Sequence, residues 1–512
     1  MFLPIVLLIL IDQMFFQLYP YHGEMGYIRK SQGTPDLYYI DRGKTQLFAA
    51  LPIEKKAETI RIFTFGGSST WGLPYGAEGS FSGWLAEIID DCHPKRHIEI
   101  VNTGYPSAPI ATARDFAAAS LSFQPDIFIV YSGNNEFLLE NQILQEAAVS
   151  RQFIYWLRRK LKYKSFFFFH ADKLYSDYFR TKQIYESSDV QFTDFLESTD
   201  ARFQYELSEI IHMAHKNHIK VILCTVPCNI RDYEPMHSAW NDHLSDEGFK
   251  RANTILQEMR MAIQNQDIRS AEKAYASLCF ISPGFAQATF EMAHAYLKSG
   301  LLLSARQAFI RAKEEDKALV RVKERFNAII RAAAQKDNQK DVFLFDAQHH
   351  FNENSPDGIP GNNLFLDGMH PNLQGHFLIA SGIAKILLKN KLIQTEKIDQ
   401  NTFNYKDFKN KNNRVDKEAP LETIDYFIHL GRLERAEELL SEFEQENTHW
   451  QIYYNRAVIC LKKRNHDCAF HEIMKACQAG TTFSDVLEST KISYPKYYDL
   501  IKSFEGEIQT VQ

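Results

Sequence analysis

From Thr59 onward, short apolar runs alternate with amphipathic stretches. "TIRIFTF", "IEIVNTG", "PDIFIVYSG" and "IKVILCTVP" read as strands. Between them, "SFSGWLAEIIDD", "TARDFAAASLSF" and "FQYELSEIIHMAHKN" carry apolar positions at helical spacing. Such alternation predicts βαβ units and a parallel sheet covered by helices on both faces. The pattern breaks near Asp246 and returns later. "DVFLFDAQ" reads as a fifth strand and "PNLQGHFLIASGIAKILL" as a closing helix. One α/β domain, 59–245 plus 337–395, is thus expected to be split by a helical insertion, 246–336.

Within the insertion, "FEMAHAYLKSGLLLSARQAFIRA" sets Ala293, Tyr296, Gly300, Ala305, Phe309 and Ala312 at fixed places. Small residues let paired helices approach closely, while Tyr296 and Phe309 fill the groove between them. Gly431, Ala436 and Leu440, then Ala457, Ala469, Ile473 and Ala476, repeat parts of the pattern in 421–512. These stretches resemble the tetratricopeptide family, whose repeats stack because one alone cannot bury its apolar face. The resemblance implies a possible protein partner. The polar stretch 396–420, rich in Asn and Lys, is a linker.

The first residues follow a different pattern. Met1 to Ile11 is uninterruptedly apolar; Asp12 and Gln13 interrupt it before more apolar and aromatic residues. A spanning helix needs about 20 mainly apolar residues, and no basic residue precedes the run as in a signal peptide. Residues 1–20 are read as a membrane anchor or signal-anchor, with a buried or interfacial helix as the alternative. Residues 21–58 connect it to the α/β domain.

Composition changes the picture little. The chain has 512 residues, 45% of them apolar and 24% charged, with a net charge of -6. A prior of roughly 100–200 residues per domain suggests about three domains. Nothing in the balance suggests nucleic acid, which favours a basic surface. Seven scattered cysteines do not read as a disulfide framework. Cys224 and Cys228 lie in the apolar run "VILCTVPC", as small buried hydrophobes do. "CHPKRH" brings Cys92, His93 and His97 together but lacks a fourth ligand, so no metal is assigned.

Chemistry is sought at the strand ends, where open α/β sheets form their sites. "FGGSSTWG" follows the first strand. It lacks the Lys of a phosphate-binding P-loop and the spacing of a dinucleotide fingerprint. A serine on a Gly-flanked turn before a helix suits a nucleophile, and also suits a helix N-cap. A nucleophilic serine needs a base and a group to orient that base. "LFLDGMHPN" offers Asp367 and His370 in one loop, although Asp-x-x-His is also an ordinary turn. "IVNTGYPS" and "IVYSGNNEF" place Gly104, Ser107 and Asn135 after two further strands.

Taken together and in this order, the four blocks resemble the SGNH (GDSL-type) hydrolases. The resemblance implies a three-layer, flavodoxin-like parallel sheet and a serine esterase needing no metal or organic cofactor. It implies Ser68 as nucleophile, His370 as base and Asp367 as its orienter. The oxyanion donors would be the Ser68 N–H, a second-block N–H and the Asn135 amide. The second-block donor stays open between Ser107 and Gly104. The first block reads Gly66-Gly67-Ser68 where Gly-Asp-Ser is usual, similar to membrane-anchored members. Ser69 is the runner-up nucleophile.

The family's substrates include lipids, acetylated sugars and thioesters. An anchor would favour a lipid or envelope-glycan ester and an extracytoplasmic site. An O-acyltransferase on the same fold and a vestigial scaffold acting through its repeats are the rival readings. In "TVPCNIRDYEPMHS", Asn229 and Arg231 are candidate substrate contacts, with Trp71 and Tyr105 as candidate pocket walls. Arg231 suits a carboxylate or phosphate, or pairs with Asp232 as a surface loop.

Overall fold

In a computed structural model of the chain, the described residues are 28–30, 37–40, 51–52, 55–92, 98–137, 189–241, 243–336, 340–393, 403–406, 421, 423–444, 449–506 and 508. Two compact units divide the chain, Met1–Phe403 and Asn404–Gln512.

The first unit is built on five parallel strands: β4 (Ile60–Gly66), β5 (Ile98–Asn102), β6 (Ile127–Tyr131), β7 (Lys220–Cys224) and β8 (Val342–Phe345). Their order is β5-β4-β6-β7-β8. These are the five runs expected from the sequence, and the sheet has the flavodoxin-like order. β6 is buried along its whole length, which explains a continuous apolar run rather than alternation.

Helices cover both faces, completing the three-layer α/β architecture. On one face, α2 (Phe81–Cys92) packs against α11 (Leu373–Lys389), with Trp84 edge-on to Phe377 at 5.7 Å. On the other lie α3 (Ile110–Ser120), α4 (Asp189–Lys216) and α9 (Glu324–Gln335). Phe326 of α9 lies 4.7 Å from Phe203 and 5.3 Å from Phe137, ring centre to ring centre. This placement corrects the expected boundary of the insertion. α9 falls within 246–336, yet its apolar face is buried against the sheet layer, so the inserted helices end before it.

Those helices are α5 (Asp246–Gln264), α6 (Ile268–Ile281), α7 (Ala286–Lys298) and α8 (Leu302–Glu315), each packed on the next. Ser245 and Asp267 cap α5 and α6 by accepting from Gly248 N and Ser270 N. Ala293, Ala305, Phe309 and Ala312 are buried between α7 and α8, and Gly300 takes a left-handed φ of 73° at their turn.

The segment expected only to connect, 21–58, contains a small antiparallel sheet, β1 (Ile28–Lys30), β2 (Leu37–Ile40) and β3 (Leu51–Pro52). These strands are too short for periodicity to reveal. Residues 1–20 lie outside the described residues. Among the described residues, no helix is long and apolar enough to cross a membrane.

The second unit is helical: α12 (Leu433–Glu444), α13 (Trp450–Lys462), α14 (His466–Gln478), α15 (Phe483–Ser493) and α16 (Tyr498–Lys502). Ala436, Leu440, Ala457, Ala469, Ile473 and Ala476 are all buried in it. A Cys460–Cys468 disulfide joins α13 to α14, which the scattered cysteines did not suggest. Their separation of eight residues spans a helix–helix turn, so the pairing follows from tertiary structure. Cys224 and Cys228 are free and buried, as expected.

Candidate active site

The strand order reverses at β4, whose neighbours are β5 and β6, the place in an open α/β sheet where sites form at the carboxyl ends of the strands. Gly66 ends β4, and α1 (Ser68–Trp71) starts two residues later. The turn between them is held from three sides. Thr70 Oγ1 donates to Tyr131 O at 3.0 Å, Tyr105 N donates to Gly66 O at 3.0 Å, and Asn102 Nδ2 donates to Thr70 O at 2.8 Å. The sequence places Asn102 at a strand end and Thr70 in the tail after the serines but assigns neither a bracing role, because no pattern distinguishes a bracing amide or hydroxyl from an ordinary one.

The opposite partner comes from the loop between α10 (Ala347–Glu353) and α11. Leu366 N donates to His370 O at 2.9 Å and Asn372 N to Leu364 O at 3.0 Å, closing Asp367–His370 into a tight turn. Asn372 then caps α11 by accepting from Gly375 N at 2.9 Å. Asp367 Oδ1 accepts the Met369 and His370 N–H groups at 2.8 and 2.7 Å, which fixes its carboxylate. Its Oδ2 lies 2.8 Å from His370 Nδ1. His370 Nε2 lies 2.7 Å from Ser68 Oγ. The carboxylate accepts the Nδ1–H, which leaves Nε2 as acceptor for the serine hydroxyl. Ser69 points elsewhere and donates to Met369 O at 3.2 Å.

Asn135 follows β6. Its amide donates to Ala108 O at 3.1 Å and lies directly over Gly67. A Cβ at Gly67 would come 2.2 Å from Asn135 Nδ2. In this chain the amide therefore occupies the space that an Asp in the first block would need. Ser68, Asn135, Asp367 and His370 keep 8%, 7%, 6% and 7% of their surface exposed, enough to border a crevice without facing bulk water.

The two second-block candidates separate in the structure. Gly104 N donates to Asn102 Oδ1 at 2.9 Å, so that N–H is already used. A Cβ at Gly104 would sit 2.2 Å from Trp71 N, so this glycine serves the close approach of two backbones. Ser107 is exposed with a φ of 62°, at the tip of the turn. Trp71 and Tyr105 are partly buried.

Asn229 and Arg231 do not stand as free groups on the rim. Asn229 is fully buried; its Nδ2 donates to Asn362 Oδ1 at 2.9 Å and its Oδ1 accepts from Asp232 N at 2.9 Å. The expected substrate contact is thus an internal brace. Arg231 Nε and Nη2 both bind Asp232, at 3.0 Å each, so its fork is neutralised by the adjacent carboxylate. His93 and His97 lie outside the described residues. Among the described residues, no group of three His, Cys, Asp or Glu could hold a metal.

Glu136, beside Asn135, stands at a strand end in the sequence but carries no role there. Its Oε1 accepts Ile110 N at 2.9 Å at the start of α3, tying this loop to the helix behind it. Burial pushes its carboxyl up from 4.5 to about 7; Arg202 and the Ile110 N–H oppose the shift, and Glu206 adds to it. His376 in α11 is also fully buried, and burial drives its imidazole down to about 3 with His370 adding to the effect.

No protein-family model matches the chain, and no curated protein matches it. Solved structures similar to it include an acetyl xylan esterase, 15% identical, covering 64% of this chain and all of the other at a TM-score of 0.29. A GDSL-like lipase from Bacteroides thetaiotaomicron is 9% identical over 65% of this chain and 89% of its own, TM-score 0.28. A catalytic mutant of an acetylxylan esterase from Geobacillus stearothermophilus is 13% identical over 65% and 95%, TM-score 0.29.

Two tests follow. Gly104→Ala meets backbone and is expected to lower unfolding free energy by about 1–3 kcal/mol. Gly67→Ala meets only the end of the Asn135 side chain and is expected to cost less in the same denaturant titration. Equal costs would contradict this division of roles. Glu136 has a folded-state value above its unfolded one, so the folded state holds the extra proton. Its contribution is complete below about pH 4.5 and is lost as pH rises through about 7. Stability of wild type relative to Glu136→Gln is expected to fall across that window, by at most about 1.4 kcal/mol per pH unit. A pH-independent difference would count against a buried, protonated Glu136.

Proposed function

We propose that this protein is a serine esterase of the SGNH type. The observation that carries the reading is the unbroken line from Ser68 Oγ through both His370 ring nitrogens to Asp367, at 2.7 and 2.8 Å. Ser68 Oγ attacks the ester carbonyl carbon while its proton passes to His370 Nε2. Asp367 holds the imidazole in the required tautomer and stabilises the imidazolium. The carbonyl oxygen becomes an oxyanion, for which we assign the Ser68 N–H, the Ser107 N–H and the Asn135 amide as donors. The ester C–O bond then breaks and the leaving alcohol takes the proton from His370. Water attacks the acyl-Ser68 with His370 again accepting a proton, and the carboxylic acid is released.

We place the substrate among lipid or envelope-glycan esters and the site on the extracytoplasmic side. The apolar run Met1–Ile11, followed by further apolar and aromatic residues to position 20, supports a membrane-proximal position. The Cys460–Cys468 disulfide supports an oxidising compartment. The helical pairs, with buried small residues at tetratricopeptide-like positions, are assigned to a protein partner.

Hydrolysis of p-nitrophenyl acetate and butyrate tests the esterase reading. Ser68→Ala is expected to lose at least about 10³-fold in kcat/KM, the scale of removing a triad member. Retention of wild-type turnover by Ser68→Ala would exclude Ser68 as the nucleophile.

A further inference from the structure

The chain returns from the inserted helices along Asp316–Lys323, which joins α8 to α9. This irregular segment and the last turn of α8 carry buried charges, although Lys317 within the segment is exposed. Lys313, Asp316, Arg321 and Lys323 are each no more than 3% exposed. Burying charges is unfavourable unless each is paired or hydrogen-bonded, and here they are bound at defined atoms. Lys313 Nζ donates to Val322 O at 2.9 Å and to Glu324 at 2.7 Å. Lys323 Nζ donates to three carbonyls, of Lys313, Glu314 and Asp316, at 3.0, 2.8 and 3.3 Å. Asp316 accepts the Met236 and His237 N–H groups and Arg321 Nη2. The segment is therefore fixed to α8, to the start of α9 and to Met236–His237, and two further sets of contacts lead to the site.

One contact reaches the Asn135 loop. Val322 N donates to Asn134 Oδ1 at 3.2 Å, and the Val322 side chain packs over Gly133, where an added Cβ would come 3.3 Å from Val322 Cγ2. Asn135 is the next residue along. A second contact reaches the Asp367–His370 loop through one intermediate. Arg321 Nη1 donates to Asn229 O and Tyr233 O at 3.2 and 2.8 Å, and its guanidinium lies 5.3 Å from the Tyr233 ring centre. Asn229 N in turn donates to Gly368 O at 3.1 Å, and the Tyr233 ring closes over Gly368, leaving no room for a Cβ. Gly368 lies between Asp367 and His370.

We propose that this return segment is a positioning element of the active site, with Arg321 holding the His370 loop through Asn229 and Tyr233 and the adjacent Val322 holding the Asn135 loop. This rests on the serine-esterase reading above. Arg321 touches no reacting atom and acts through Asn229 and Tyr233. Its planar fork reaches two carbonyls and one carboxylate at once, a geometry that a lysine ammonium does not reproduce. Catalytic groups must be held to within about 0.5 Å, and a misplacement of about 1 Å costs on the order of 10²-fold. The inserted helices thereby gain a role beyond an appended surface, because their exit strand sets the spacing between oxyanion donor and base.

The test compares Arg321→Met with Arg331→Met in the full chain. Arg331 binds Asp346 and Gln348 from α9 and touches neither site loop. Two readouts are taken: p-nitrophenyl butyrate kinetics and the rate at which a fluorophosphonate modifies Ser68, mapped by peptide mass. Arg321→Met is expected to lower kcat and the Ser68 modification rate about 10- to 100-fold with KM within about 3-fold, whereas Arg331→Met keeps both. Asn134→Ala, which leaves the Arg321 contacts in place, serves if Arg321→Met does not fold; a kcat loss of about 3- to 10-fold at unchanged KM is expected. Wild-type kcat in either variant, or an equal loss in Arg331→Met, would overturn the positioning role. A wild type whose Ser68 is not modified would instead remove the esterase reading, and this role with it.

Discussion

The 2.7 Å contact between Ser68 Oγ and His370 Nε2 joins residues 302 positions apart. A hydrogen bond of this length tolerates displacements of only a few tenths of an ångström. Much of the first unit can be understood as what keeps its two ends in place. The serine is fixed by a buried strand and by bonds from Asn102, Thr70 and Tyr105. The histidine is fixed by a closed turn, a capped helix and a carboxylate that takes backbone N–H groups on one oxygen and the imidazole on the other. The parallel sheet supplies the common base, because the serine turn leaves β4 directly and the Asp367–His370 loop leads into α11, which packs on β8.

A shallow crevice between loops would not hold such a geometry by main-chain contacts alone. The structure adds a third support from outside the α/β layers, the buried and charged return segment of the insertion. Its cations are bound mostly to carbonyl oxygens. That arrangement fixes loop backbones, whereas exchange of surface ion pairs would not. The insertion point matters as well. It lies between β7 and β8, so the chain leaves beside one site loop and returns beside the other.

The five strands and the Ser, Asn, Asp and His positions were legible because apolar periodicity and block order are properties of contiguous sequence. What lay outside that reading depends on contacts across the fold. Nothing in "KALVRVKER" marks its charges as internal, yet Arg321 and Lys323 are buried. Asn229 sits in a polar loop that invites a substrate role, but its amide is consumed inside the protein. α9 reads as one more helix of the insertion until Phe326 is seen against Phe203. The Gly-Gly-Ser block acquired a physical reason only when the Asn135 amide was found in the space above Gly67.

The proposed esterase mechanism requires Ser68 to carry the acyl group from the ester to water. Rapid acid quenching of the full chain with p-nitrophenyl butyrate, followed by peptide mass mapping, tests it most directly. A butyryl adduct confined to the peptide containing Ser68, located on Ser68 by fragmentation and lost on longer incubation, is the expected result. An adduct on Ser69, or release of p-nitrophenol with no acylated serine at any time point, would contradict it.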